Sequence, residues 1–296
     1  MHPSETDVAN ATRALKKRRA RPLGWRRVTA GGATPATRWV VTLDDGATAF
    51  VKIATDEATA SWLRDEHLTY SVFRGATFMP TYLGWYDDGT RPVLAIEDLS
   101  GAAWPPPWTT ERIDAVLRCL ADVAAAPPPE GLPKADDDRF GLRDAWADVD
   151  AHREAVLALG LFDAGWLDRH LTVLHEAART APLAGDRLLH FDVRSDNVCF
   201  AGAHTVLVDW NWASVGNPRA DVAFWLPSLH AEGGPPPDAF EVDGAPGFAA
   251  ACAGYWTARA AEPPIPTAPT VRPLQLRSAR AAVPWAARAL GIREPS

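Results

Sequence analysis

The chain has 296 residues, 47% of them hydrophobic and 23% charged, which suits one large core or two coupled lobes and excludes wholesale disorder. No apolar run approaches the roughly 18 residues that a membrane span needs. Arg19, Arg21 and Pro22 stand where a secretory leader would be apolar, so a cytoplasmic protein is expected. Cys119, Cys199 and Cys252 are far apart with no C-x-x-C pair, which speaks against both a disulfide framework and a zinc site. Residues 1–30 hold eight Lys/Arg against two Asp/Glu, and this leaves −13 for the rest of a chain whose total is −7. The basic start reads as a solvated helical face, and an acidic body suits a cationic small ligand better than nucleic acid or a membrane surface.

In chain order, Gly24–Val28 and Arg38–Leu43 read as a strand pair around the small-residue connector Thr29–Thr34, whose Gly31 and Gly32 can let backbone N–H groups approach an anion. Trp39–Leu43 and Ala47–Ile53 flank Asp44-Asp45-Gly46, a hairpin signal. From Glu57 to Phe73, Ala58, Trp62, Leu63, Leu68 and Val72 form a helical stripe. Two further strand-like runs, Pro80–Tyr86 and Arg91–Glu97, complete a small antiparallel sheet with one helix.

Beyond Pro105–Pro107 the pattern turns helical. Ile113, Val116, Leu117, Leu120 and Val123 mark a helix that Pro127-Pro128-Pro129 stops. Helical patterns also cover about 140–159, 163–179, 219–230, 246–261 and 275–290. Between them the periodicity switches at 187–190, and Val198–Phe200 and Thr205–Val208 read as a hairpin. The expectation is an α+β fold with two lobes: residues 1–98 a β-rich lobe, and 99–296 a mainly helical lobe carrying one inserted β element.

The stretch His190-Phe191-Asp192-Val193-Arg194-Ser195-Asp196-Asn197 is followed twelve residues later by Asp209. With 8 His, 25 Asp and 4 Asn, chance supplies the spacing H-x-D-x-x-x-x-N roughly 0.01 times. An Asp ending a strand, an Asn five residues on and an Asp closing the next hairpin can place three hard oxygen donors around one pocket. Such donors suit Mg²⁺ carried in with nucleotide phosphates. Asp192 is then available to orient or deprotonate a hydroxyl. His190 reads as a scaffold residue. The run Asp136-Asp137-Asp138, with Asp144, Asp148 and Asp150, is either a lining for an amine-rich substrate or a solvated face.

These stretches resemble the aminoglycoside phosphotransferase and choline kinase superfamily, small-molecule relatives of the protein kinases, over nearly the whole chain. The resemblance implies a bilobal protein-kinase-like fold and ATP or GTP with Mg²⁺ as cofactors. It implies Lys52 on the α/β-phosphates with Glu66 as its ion-pair partner, and the loop 29–37, including Gly31 and Gly32, over the phosphates. The carbonyl of Glu97 and the N–H of Leu99 would meet the base. Asp192 would be the catalytic carboxylate, Arg194 a cation offsetting charge on the transferring group, Asn197 and Asp209 the metal ligands, and Asp221 the brace of the catalytic loop. Phe191, Asp196 and Asn217 stand where many antibiotic kinases have Gly, Gly and Asp. The acceptor implied is a small-molecule hydroxyl, foremost an aminoglycoside; choline, homoserine or a sugar, or a nucleotide-binding pseudokinase, are the rival readings.

Overall fold

A computed structural model describes residues 2–29, 35–138, 140–266 and 268–295. The chain forms two compact units: Met1–Pro105 with Asp196–Ala213, and Pro106–Ser195 with Ser214–Ser296.

In the first unit, α1 (Glu5–Ala14) starts at a reciprocal cap, in which the Asp7 N–H donates to Ser4 Oγ and the Ser4 N–H to the Asp7 carboxylate. Five antiparallel strands follow: β1 (Pro22–Arg27), β2 (Thr37–Leu43), β3 (Thr48–Ile53), β4 (Tyr82–Tyr86) and β5 (Val93–Glu97), in the order β1-β2-β3-β5-β4. Gly46 at φ 82° closes the β2–β3 hairpin, a conformation in which a side chain would be strained. Strand alternation then sorts the faces. Trp39, Val41, Val51 and Ile53 pack with Ala11 and Leu15 of the N-terminal segment, so Arg38 and Lys52, paired across β2 and β3, lie on the opposite face. β4 runs so close to the end of α1 that a β-carbon at Gly84 would sit 1.9 Å from the Ala14 carbonyl oxygen. The intervening helix, α2 (Glu57–Val72), is capped by Asp56, which accepts from the Thr59 N–H at 2.8 Å.

The hairpin β7 (Val198–Ala201) and β8 (His204–Leu207) belongs to this first unit, whereas a single cut near residue 98 would give it to the second. The reason is backbone bonding. Ala103 and Phe200 exchange two hydrogen bonds, at 3.0 and 2.8 Å, and the Leu207 N–H donates to the Phe78 carbonyl at 2.9 Å. Leu99, Cys199 and Val206 form a small apolar cluster beneath it.

The second unit contains α3 (Thr110–Ala125), α4 (Ala145–Ala151), α5 (Arg153–Leu157), α6 (Ala164–Arg179), α7 (Arg219–Ala231), α8 (Ala245–Ala261) and α9 (Val271–Ala289), with β6 (Arg187–Leu189) paired antiparallel to β9 (Ser214–Gly216). β9 has no signal in the hydrophobic pattern, being three residues long. The expected helix at 140–159 is two short ones broken at His152, and ahead of them Asp138 Oδ1 accepts the Arg143 N–H at 3.0 Å. Trp146 fixes α4 to α8, donating to the Ala250 carbonyl at 2.8 Å, and a β-carbon at Gly254 would lie 2.8 Å from its ring. Among the described residues no helix is long and apolar enough to cross a membrane.

Candidate active site

Lys52 projects from β3 on the face left open by α1, and its ammonium is held by two carboxylates. Nζ donates to Glu66 at 2.8 and 3.0 Å and to Asp209 Oδ1 at 2.8 Å. Glu66 reaches it because Thr59, Leu63, Glu66 and Tyr70 share the buried stripe of α2. The Glu66 side chain is 1% exposed and that of Lys52 11%. Burial alone would lower the Lys52 pKa, but the charges and hydrogen bonds of Asp209 and Glu66 outweigh it and hold the ammonium protonated well above the usual range. One ammonium between two carboxylates leaves a net negative charge. Burial, opposed by Lys52 and reinforced by Asp209, pushes Glu66 up to about 7.

Asn197 and Asp209 flank one end of the β7–β8 hairpin, where the Val208 N–H donates to the Asn197 carbonyl at 2.9 Å. Asn197 is buried. Asp209 takes a left-handed backbone, φ 69°, which turns its carboxylate off the strand line toward Lys52. Strain of this kind in a non-glycine residue costs roughly 1–3 kcal/mol and marks functional positions. Among the described residues no group of three His, Cys, Asp or Glu side chains makes a free-standing metal cage. An amide and a carboxylate oxygen fit instead a hard cation that brings phosphate and water as its remaining ligands.

This unit also places Arg38 opposite Lys52 on the same face. Its guanidinium pKa is lowered, mainly by burial, against the opposing pull of Asp209 and Asp196. Sequence reasoning passed over Arg38, although strand alternation from Lys52 across the hairpin was enough to find it. Glu97 ends β5, its carboxylate accepting from the Thr81 N–H and hydroxyl, both at 2.9 Å. The chain then turns through Asp98 and the nearly buried Leu99, whose carbonyl accepts from Ala102 at 3.0 Å. Gly31 and Gly32 lie outside the described residues.

In the second unit the buried carboxylate of Asp221, near the start of α7, accepts the N–H groups of His190 at 2.9 Å and Phe191 at 2.7 Å. Burial raises its pKa to about 6 against the pull of those two bonds. His190 is fully buried, and its Nδ1 accepts the Asp192 N–H at 3.3 Å; it is a scaffold for the loop. Phe191 holds φ 64°, and the Asp192 carboxylate lies 3.4 Å from Arg194 Nε. Thus Lys52, Glu66, Asn197 and Asp209 come together in one unit, and Asp192, Arg194 and Asp221 in the other.

Asp137 and Asp138 accept the backbone N–H groups of Lys134 and Arg143, while Asp144, Asp148 and Asp150 are exposed.

An antiparallel sheet with a Lys–Glu pair, joined to a helical unit that carries a braced H-x-D loop, defines a small-molecule kinase of the protein-kinase-like class. The profile of the phosphotransferase enzyme family (APH) matches residues 25–255, and the chain belongs to that family. No curated protein sequence matches it. Among solved structures it is similar to a protein assigned as a fructosamine-3-kinase from Thermobifida fusca (TM-score 0.58, 18% identity, covering 95% of this chain and 99% of that one). It is also similar to a choline/ethanolamine kinase family protein from Mesorhizobium loti (0.53, 15%, 86% and 84%). A third similar structure is an aminoglycoside phosphotransferase from Alicyclobacillus acidocaldarius (0.51, 16%, 90% and 90%). At these identities the likeness establishes the fold.

Proposed function

We propose that the protein transfers the γ-phosphoryl group of ATP or GTP to a hydroxyl of a small molecule in the cytoplasm. The observation that carries this reading is the buried ammonium of Lys52 clamped between Glu66 and Asp209, a cation fixed in place and ready to meet polyphosphate oxygens. Asn197 and Asp209 would hold Mg²⁺, which when bound neutralises phosphate charge. Asp192 accepts the proton as the acceptor oxygen bonds to the γ-phosphorus and the bond to the nucleoside diphosphate breaks, yielding a phosphomonoester and ADP or GDP. Arg194 offsets charge on the transferring group. Catalysis of this kind is mostly alignment and charge stabilisation.

An aminoglycoside acceptor draws support from family analogy and the acidic net charge, and such support is associational. Choline, homoserine and sugars share it. The test is a coupled ADP-release assay over aminoglycosides, macrolides, choline and sugars, run beside Asp192→Ala. Turnover falls by about 10³-fold or more in the variant while ATP·Mg²⁺ binding is retained. Equal turnover in the two proteins would remove Asp192 from the mechanism, and nucleotide binding without ADP release on any acceptor would make the protein a pseudokinase.

A further inference from the structure

The loop that carries Asp192 runs from His190 to Arg194 without regular structure and enters a turn at Ser195. Asp221 fixes its beginning, through the N–H groups of His190 and Phe191. Phe191 holds a left-handed backbone there, φ 64°, and such a conformation persists in a non-glycine residue where the surroundings over-determine it. A second hold lies three residues beyond Asp192. The Ser195 hydroxyl donates to Glu232 Oε1 at 2.6 Å, the length of a charge-assisted O–H···O⁻ bond. Ser195 and Glu232 both belong to the second unit.

Glu232 is itself held from two directions. Its other oxygen, Oε2, accepts the Trp108 indole N–H at 2.9 Å, and the Trp108 ring meets the fully buried Trp225 of α7 edge to face, with centroids 5.4 Å apart. The backbone of Glu232 closes α7. Its N–H donates to the Ser228 and Leu229 carbonyls, Gly233 turns at φ 91°, and the Gly233 and Gly234 N–H groups return to His230 at 3.0 Å and Leu229 at 2.9 Å. That paired return is the Schellman ending of a helix. A carboxylate at a helix C-terminus opposes the helix dipole; here each of its oxygens meets a side-chain donor, one of them on the catalytic loop. Asp221 and Glu232 stand eleven residues apart, at the two ends of α7, which is roughly 16 Å along the axis.

We propose that Glu232 is a positioning residue of the phosphoryl-transfer site. One helix, α7, holds the Asp192 loop from both sides: Asp221 before the carboxylate and Glu232, through Ser195, after it. This rests on the kinase reading. The test uses the full chain carrying Ser195→Ala, Glu232→Ala, both together, or Glu232→Gln, whose amide can still accept from Trp108 and donate to Ser195 Oγ. Hydrogen exchange of segment 187–197, read by mass spectrometry without any acceptor, follows the hold on the loop. ADP release from ATP·Mg²⁺ with kanamycin, erythromycin, choline and glucose follows turnover. Each alanine variant should speed exchange of that segment while α8 stays protected, and lower kcat by about tenfold or more, the scale of a displaced catalytic group. The nucleotide KM should stay within about threefold, because Asn197 is held separately, its carbonyl accepting the Val208 N–H. The double variant should be no slower than the slower single one, since the two side chains act as a unit, and Glu232→Gln should keep most of the wild-type kcat. Wild-type kcat or unchanged exchange in Ser195→Ala, additive losses in the double variant, or a Glu232→Gln as slow as Glu232→Ala would overturn the proposal. Faster exchange in the alanine variants, with no ADP release by the wild type on any of the four acceptors, would keep Glu232 as the anchor of the loop and sink the kinase reading, so the two failures are distinguishable.

Discussion

Replacing Lys52 with methionine tests the buried charge cluster through both stability and chemistry. Methionine conserves most of the side-chain volume but removes the one positive charge between Glu66 and Asp209, whose oxygens lie 2.8 Å from Nζ. Removing one partner of a buried pair typically costs about 3–5 kcal/mol. In a domain of this size that is a fall of roughly 10 °C in melting temperature. The sign of the pH dependence follows from the carboxylates left behind. With Lys52 present, burial already holds Glu66 at about 7, above its ordinary 4.5; without the ammonium the shift is larger. A carboxyl whose folded-state pKa is raised contributes stability that is complete below the unfolded value and lost as pH rises through the folded one. The deficit of Lys52→Met relative to wild type should therefore be small at pH 5 and full at pH 8. Melting temperatures at both pH values measure it, and nucleotide-dependent turnover at pH 8 should fall at least about 100-fold. A deficit equal at both pH values, or larger at pH 5, would refute the three-charge cluster as described.

Asp221→Ala strands the N–H groups of His190 and Phe191; each buried orphan costs about 1–3 kcal/mol, and turnover falls as the Asp192 loop loses its brace. Because the folded pKa of Asp221 is raised to about 6, its contribution to stability is present below pH 3.8 and declines as pH rises to about 6, so Asp221→Asn should flatten the wild-type stability profile across that window in denaturant titrations. Gly84→Ala forces a β-carbon into the Ala14 carbonyl and should destabilise by about 1–3 kcal/mol in urea unfolding. Arg38→Ala should raise the nucleotide KM by about tenfold, since Arg38 shares the face of Lys52 and lies in the field of Asp209.

Much of this was legible in the residues because it depends on local spacing. The fourteen-residue step from Lys52 to Glu66 spans one strand end, one turn and two and a half helical turns, and the H-x-D-x-x-x-x-N spacing fixes its loop without reference to partners. The five strands of the first sheet and α2, α3, α6 and α7 lie close to where β-rich runs and apolar periodicity place them. What stayed hidden depends on contacts distant in sequence. β9 is a strand only because β6 lies beside it, and the β7–β8 hairpin joins the first unit through backbone bonds to Ala103 and Phe78. Composition counts Asp136, Asp137 and Asp138 as acidic surface, yet Asp137 and Asp138 are taken up by a turn.

The central claim, transfer of a phosphoryl group to a small-molecule hydroxyl, is tested most directly by ³¹P NMR of the protein with ATP, Mg²⁺ and an accepted hydroxyl compound. The account predicts that the γ resonance disappears as a phosphomonoester resonance coupled to the acceptor's own protons grows in step with ADP. Loss of the γ signal into inorganic phosphate alone, with no coupled ester at any acceptor concentration, would contradict it.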